Sequence, residues 1–189
     1  MSSSSVKKLP GEVGLWTFIL GDLLVFSLFF ITYVIYRGEA LADYRTAQET
    51  LSLPIGTANT LLLLTSSCSL AIAIKALRLG MGRNAKWLVL CTLTLGGLFV
   101  AGKATEYVQL VGGDVSESAA DFRMFYFVFT GIHLTHILVG LLVLSIFALI
   151  LKPTDNSDGM ISAAECGAIY WHMVDLLWIV LFTLFYLLP

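Results

Sequence analysis

The chain ends in a stretch that reads Glu165-Cys-Gly-Ala-Ile-Tyr-Trp-His-Met-Val-Asp-Leu-Leu-Trp178 and stays apolar to Pro189. This stretch is long and apolar enough to cross a bilayer, yet it contains two ionisable residues, His172 and Asp175. An Asp at the centre of a membrane helix costs about 3 kcal/mol, so such residues generally have partners within the protein. The stretch therefore predicts a transmembrane helix that carries a polar patch.

The composition indicates that lipid is the solvent of the whole chain. Of its 189 residues, 58% are hydrophobic and 13% charged, and the mean hydropathy is +0.87, whereas soluble domains are about 25% charged. A membrane helix needs about 20 mostly apolar residues, and five segments qualify: 14–36, 55–79, 87–111, 124–151 and 166–188. These runs are too long for spanning strands and do not alternate. We predict an all-α, polytopic membrane protein with a tail over 1–13 and a five-helix transmembrane bundle over 14–189.

The basic residues are distributed unevenly between the two ends of the predicted bundle. One end carries seven of them: Lys7, Lys8, Lys75, Arg78, Arg83, Lys86 and Lys152. The other carries three: Arg37, Arg45 and Arg123. Because Lys and Arg are retained in the cytoplasm, the bias predicts the N-terminus inside and the C-terminus outside. The net charge of −2 argues against a nucleic-acid partner.

Ionisable residues within the predicted helices are the candidate functional residues, and most form pairs three residues apart on one helical face. The pairs are Lys103 with Glu106, His133 with His136, and His172 with Asp175; Asp22 stands alone, and Glu165 opens the last segment. With a rise of about 1.5 Å per residue, the helix midpoints predict two polar layers. The inner layer holds Asp22, His172 and Asp175, the outer layer holds Lys103, Glu106 and His133, and His136 lies between them.

Three interpretations of the histidines remain open. Metal or haem ligation is one, although two His one turn apart on a single helix cannot bind both faces of a haem. A proton relay is the second, because His and carboxylates can titrate near neutral pH. Interhelical hydrogen bonds that fix the bundle are the third, and this is the interpretation we favour. We predict no catalytic residue and no metal site, and we expect the three cysteines to pack as inert apolar residues.

Motifs in all five segments resemble cytochrome c oxidase subunit III. The last segment is similar to the final helix of that family, whose hallmark is the Trp-His-aliphatic-Val-Asp core found here at 171–175. The fourth contains Thr130-Gly-Ile-His-Leu-Thr-His-Ile-Leu-Val-Gly140, similar to the family's Gly-x-His-x-x-His-x-x-x-Gly, and the third ends in Glu106-Tyr107. The second has the pattern of Asn-Thr followed by Leu-x-Ser-Ser, and the first has a carboxylate before a run of aliphatic and Phe residues.

This chain departs from the family pattern in three respects. The family usually has seven helices, and this chain resembles the last five, so the lipid-holding cleft formed by the first two is not expected. Asp22 stands where many members have Glu, and Lys103 where Gln is common. With Gly21-Asp22 in its first segment and Tyr36-Arg37 at the end of that segment, the chain looks most like the NorE-type branch linked to nitric oxide reductase. The five-helix subunit III of quinol oxidases is the nearest rival.

The resemblance implies a function. It implies an accessory, non-redox subunit in a bacterial cytoplasmic (inner) membrane that supports the assembly, stability and proton uptake of a haem-copper-type oxidase or nitric oxide reductase. Its partner would be a catalytic, haem-containing membrane subunit, and haem and copper are expected only there. Phospholipid is a further candidate ligand. An independent small transporter or proton channel that uses the buried His, Asp and Glu residues is the competing class.

Overall fold

All elements in the described parts of the chain are helices. A computed structural model describes residues 13–112, 120–151 and 157–188. Its five long helices are α1 (Val13–Glu39), α3 (Leu53–Arg78), α4 (Gly82–Gly112), α5 (Ala120–Ile150) and α6 (Asp158–Phe182), and a short α2 covers Leu41–Gln48. All five long helices are long and apolar enough to cross a membrane. The predicted all-α five-helix bundle is confirmed, and the predicted tail lies outside the described residues except for Val13.

The long helices extend beyond the apolar runs that identify them. α6 begins at Asp158, so the prediction that 152–165 is entirely a connection is wrong from residue 158 onwards. Ser157 has extended backbone, and Asp158 lies in the first turn, where a negative charge favours the helix N-terminus. An apolar run marks only the length of helix that lipid surrounds. It does not show how far the backbone continues as a helix outside the lipid.

Helix α2 lies in the region predicted to be a connection, 37–54. It is short and mostly polar, and it buries only Tyr44 and Ala47, so it leaves no hydropathy signal. The Tyr44 ring packs edge-on against Tyr33 at 5.7 Å and against Phe122 at 5.8 Å between ring centroids. Burial raises the pKa of Tyr44 to about 12. Helix α2 therefore closes one end of the bundle, where α1 and α5 meet.

A tryptophan lies at the centre of the bundle, between α4 and α5. Trp171 is 1% exposed, so it packs inside the bundle and not at the membrane interface. Its indole fits where two glycines lack side chains, because a Cβ on Gly96 would lie 3.0 Å from Trp171 Cη2 and one on Gly140 2.8 Å from Cε3. Trp178 is also fully buried.

Hydroxyl side chains join α3 to α4, the most extensively packed pair of helices. Ser66 Oγ donates to the Thr92 carbonyl at 3.1 Å, and Thr92 Oγ1 donates to the Ser66 carbonyl at 3.3 Å. Ser69 Oγ donates to the carbonyl of Leu88 at 3.0 Å. Small hydroxyl residues permit this close approach and supply hydrogen bonds that lipid cannot.

The last helix ends in a π-helical turn over Thr183–Leu187. The turn buries three consecutive residues, Leu184, Phe185 and Tyr186. A Cβ on Gly56 of α3 would lie 2.7 Å from the Tyr186 ring, so this glycine makes room for the tyrosine. The turn thereby brings the Tyr186 hydroxyl into the interior of the bundle.

Candidate functional site

Four buried side chains form the lysine cluster: Lys103, Glu106, Tyr126 and Tyr186. Helix α4 supplies Lys103 and Glu106 one turn apart, α5 supplies Tyr126, and the π-helical turn supplies Tyr186. Lys103 and Glu106 are each 1% exposed. Lys103 Nζ lies 2.8 Å from Glu106 Oε2, so the pairing along one helical face expected from the sequence is present.

The hydrogen bonds of the lysine cluster use every polar hydrogen that its side chains carry. The Lys103 ammonium donates to Glu106 Oε2 at 2.8 Å, to the Tyr126 hydroxyl at 2.6 Å and to the Tyr186 hydroxyl at 3.4 Å. Tyr186 donates to Glu106 Oε1 at 2.5 Å, and the two tyrosine oxygens lie 3.2 Å apart. Since the Tyr186 hydrogen is already used, Tyr126 is the donor to Tyr186. A charged Lys–Glu pair thus has all its donors satisfied, as buried charges require.

Trp178 connects the lysine cluster to His133. Lys103 Nζ lies 4.9 Å from the centroid of the Trp178 ring, a distance at which a cation is attracted to the ring. Trp178 Nε1 donates to Thr60 Oγ1 at 3.0 Å, which fixes the indole against α3. The His133 ring stacks on the same indole at 5.4 Å between centroids.

His133 lies near the lysine cluster, as the predicted outer layer requires, but it does not bond to it. Its ring is 1% exposed, and in the described part of the chain neither of its nitrogens has a hydrogen-bond partner. Phe99 packs edge-on against it at 6.0 Å. Burial among aromatic rings favours the uncharged imidazole. His133 therefore has no neighbour at relay distance among the residues described.

Asp22 pairs with His136, which differs from the predicted inner layer. Asp22 Oδ1 lies 3.2 Å from His136 Nε2, whereas the sequence placed Asp22 with His172 and Asp175. Helix α1 packs across α5 here, with the rings of Phe26 and His136 5.8 Å apart. Matching of depth alone missed this contact, because the order and rotation of the helices decide which residues of equal depth meet.

The Asp22–His136 pair shares one proton. His136 Nδ1 lies 2.8 Å from the carbonyl of Ile132, and since a carbonyl only accepts, Nδ1 carries a hydrogen. A hydrogen bond between Nε2 and Asp22 Oδ1 then needs one further proton, on either atom. Asp22 Oδ2 has no partner within the described ranges. This pair can hold a proton, and no continuous chain of described partners leads away from it.

His172, which shares one face of α6 with Asp175, contacts Ser67 of α3. Ser67 Oγ lies 2.5 Å from His172 Nδ1, and Asp175 lies one turn further along the same face of α6. Asp175 is buried, whereas His172 is exposed on the surface of α6. The predicted polar patch is therefore present, and it ties α6 to α3.

Glu165 belongs to the surface at one end of the bundle. Arg78 donates to Glu165 Oε1 from Nε at 3.1 Å and from Nη2 at 2.7 Å. The Arg78 side chain is 58% exposed and that of Glu165 is 17% exposed. A pair this exposed contributes little to stability, and it lies near the end of the bundle where α3 finishes, about two turns into α6.

No group of three His, Cys, Asp or Glu side chains among the described residues is placed to hold a metal ion. The location of haem and copper in a partner stays a prediction. Sequence reasoning missed Ser67, Tyr126 and Tyr186 as members of the polar clusters. Their only signal was a hydroxyl in an apolar segment, and many hydroxyls, such as that of Thr94, only bond to their own helix.

Comparison with known proteins gives consistent matches over nearly the whole chain. The family model described as Cytochrome c oxidase subunit III matches residues 5–188. Cytochrome c oxidase subunit 3 of Thermostichus vulcanus is 31% identical over 179 residues, covering 93% of this chain and 86% of that protein. Quinol oxidase subunit 3 of Bacillus subtilis is 28% identical, with 93% and 86% covered. Cytochrome bo(3) ubiquinol oxidase subunit 3 of Pseudomonas aeruginosa is 29% identical, with 93% and 83% covered.

Proposed function

Because the chain belongs to the cytochrome c oxidase subunit III family, we propose that it is the accessory, non-redox subunit of a haem-copper-type respiratory complex. Membership of this family makes it a multi-pass membrane protein whose partners are also embedded in the membrane. Its five candidate spans agree with that setting. The observation that carries the proposal is the match of the family model to residues 5–188.

The lysine cluster supports a role in stability and assembly. Its hydrogen bonds form a closed set that joins α4, α5 and the π-helical turn, and no donor is left to pass a proton onward. Interhelical hydrogen bonds in membranes contribute about 0.6–2 kcal/mol each. We infer that this cluster holds the bundle in the shape that the partner recognises, and that any help with proton uptake acts through the partner.

Haem and copper belong, in this proposal, to a catalytic partner subunit, and the isolated chain has no redox activity. Support comes from the two histidines of α5, since His133 is enclosed by aromatic rings and His136 is occupied by Asp22 and a carbonyl. The complex would lie in a bacterial cytoplasmic membrane, as the bacterial sources of the relatives suggest.

The partner's substrate, oxygen or nitric oxide, is a separate part of the proposal. The names of the relatives favour an oxygen-reducing oxidase. Gly21-Asp22 and Tyr36-Arg37 in the first helix are the features that suggested the NorE-type branch. Purification of the chain with its partner, followed by measurement of oxygen and nitric oxide consumption, distinguishes the two. Nitric oxide consumption without oxygen consumption would favour the NorE-type branch.

Two measurements test the accessory role against an independent transporter or proton channel. Cells that lack the chain should contain less assembled haem complex, and the gene supplied in trans should restore it. The purified chain in liposomes should conduct no more protons than empty liposomes under an imposed potential. Proton flux through the isolated chain, together with normal assembly of the haem complex in its absence, would replace this proposal with the channel.

A further inference from the structure

An unsatisfied polar atom lies on the membrane-facing surface of α6. His172 is seven residues beyond Glu165 and fifteen before Leu187, which puts it about 10 Å along the helix from Glu165. Glu165, in its surface pair with Arg78, marks one end of the bundle. The hydrocarbon core has a half-thickness of about 15 Å. The exposed imidazole of His172 therefore lies among acyl chains unless another protein covers it.

The hydrogen bonds of His172 leave one ring nitrogen without a partner. Nδ1 is occupied by Ser67 Oγ at 2.5 Å. An imidazole has two hydrogen-bonding nitrogens, and Nε2 makes no hydrogen bond to the described residues. If Nδ1 is the donor to Ser67, then Nε2 is an acceptor. In the other arrangement Nε2 is a donor. Acyl chains can satisfy neither.

Apolar residues surround this nitrogen along the helix. They form the His172 strip, defined as Ile169, His172, Leu176 and Ile179, which are spaced by three or four residues and so lie on one helical face. Leu176 is 50% exposed and Ile179 is 37% exposed. A strip of this kind, with aliphatic residues around one hydrogen-bonding group, is suited to packing against another transmembrane helix.

We propose that the His172 strip is the surface on which a transmembrane helix of the catalytic partner docks, and that this helix presents a hydrogen-bonding side chain to His172 Nε2. The proposal rests on the proposed function, because it takes its occupant from the membrane-embedded partner of that complex. A protein helix is the occupant because it brings both apolar contacts for Leu176 and a polar group at hydrocarbon depth. Acyl chains bring only the first.

Site-specific photo-crosslinking tests the location of the surface in the assembled complex. A photoreactive amino acid replaces Leu176 on the strip or, as the matched control, Leu138 on α5, which is 49% exposed. The residue at 176 should crosslink to the haem-containing subunit, and that at 138 should not. Two outcomes would overturn the proposal while the accessory role stands. In one, the haem subunit crosslinks only from position 138; in the other, position 176 crosslinks only to a second copy of this chain or to lipid. Absence of the haem subunit from the purified wild-type complex would defeat the proposed function itself.

Paired substitutions at His172 test the hydrogen bond. His172→Gln keeps a hydrogen-bonding side chain, and His172→Leu removes it. Because one interhelical hydrogen bond is lost, retention of the partner by tagged His172→Leu should weaken about three- to thirtyfold, and His172→Gln should stay within about twofold of wild type.

Substitution of His172 also affects its contact with Ser67, and this effect is the same in the isolated chain and in the complex. The thermal stability of each isolated variant measures that effect and therefore serves as the control. A His172→Leu chain that retains the partner as the wild type does contradicts the proposal. The proposal is also contradicted if His172→Gln retains the partner as weakly as His172→Leu although the two isolated variants are equally stable. If His172→Leu does not fold, the crosslinking at 176 decides.

Discussion

Glu106→Gln is the sharpest perturbation of the lysine cluster because it changes charge and hydrogen count with almost no change in shape. The native cluster has as many polar hydrogens as hydrogen bonds. Gln brings two hydrogens to a position where Glu106 only accepts. In either orientation the amide NH2 group of Gln faces Lys103 or Tyr186. The Lys103 ammonium is itself a donor, and the Tyr186 hydroxyl is already fully occupied as an acceptor. If Lys103 becomes neutral, the cluster loses one hydrogen, which offsets only one of the two that Gln adds.

The expected cost follows from the burial of the pair. Removal of one partner of a buried ion pair costs about 3–5 kcal/mol, and a lost hydrogen bond to a charged group about 1.5–3 kcal/mol. Lys103 keeps the Tyr126 hydroxyl and the Trp178 ring as neighbours, which offsets part of the loss. We therefore expect the free energy of unfolding to fall by about 3 kcal/mol.

The assay is unfolding of the purified chain in detergent, with partner assembly as a second measurement. Glu165→Gln is the matched control, since it breaks an exposed pair with Arg78 and should cost less than about 1 kcal/mol. Lys103→Met combined with Glu106→Gln removes the uncompensated charge. That double variant should be at least about 1 kcal/mol more stable than Glu106→Gln alone.

Two results would refute this reasoning. One is a Glu106→Gln chain within about 0.5 kcal/mol of wild type, which would mean that the closed hydrogen-bond set does not govern stability. The other is normal stability and assembly combined with collapse of the partner's proton uptake. That outcome would favour the relay interpretation of the buried groups.

Three further predictions address other parts of the chain. Gly140→Ala should destabilise the chain by about 1–3 kcal/mol through overpacking against the central indole, whereas Gly131→Ala, with open space around its position, should be close to neutral in the same unfolding assay. Tyr44, whose pKa is raised from 10.0 to about 12 by burial, contributes stability that is intact below pH 10 and is lost as the pH rises towards 12, so wild type should lose stability relative to Tyr44→Phe across that interval. In a chain without native cysteines, Cys at Gly82 should be shielded from an impermeant reagent in intact cells and Cys at Gly113 should react with it; the reverse pattern would contradict the predicted orientation.

Hydrophobic runs were sufficient to predict the five helices that are long and apolar enough to cross a membrane. The ends of the helices were not predictable in the same way, because α6 starts at Asp158 in a polar stretch and α2 is too short and polar to register. The π-helical turn at 183–187 has no apparent sequence signal, since its residues read as an ordinary apolar helix end.

Within the candidate site, pairs on one helix were predictable and contacts between helices were not. The Lys103–Glu106 pair follows from a spacing of three residues on an α-helix. The contact of Asp22 with His136 depends on the order and rotation of α1 and α5. These are set by the packing of rings such as Phe26 against His136, which depth along each helix does not describe.

The most direct test of the accessory role is the haem content of the chain with and without its partner. The affinity-tagged chain is purified from membranes in mild detergent, and its haem spectrum and copper content are measured before and after a harsher detergent strips the partner. We predict haem in the intact complex, and neither a Soret band nor stoichiometric copper in the stripped chain. Haem or copper retained one-to-one by the stripped chain, or an intact preparation with no haem-containing partner, would contradict the account.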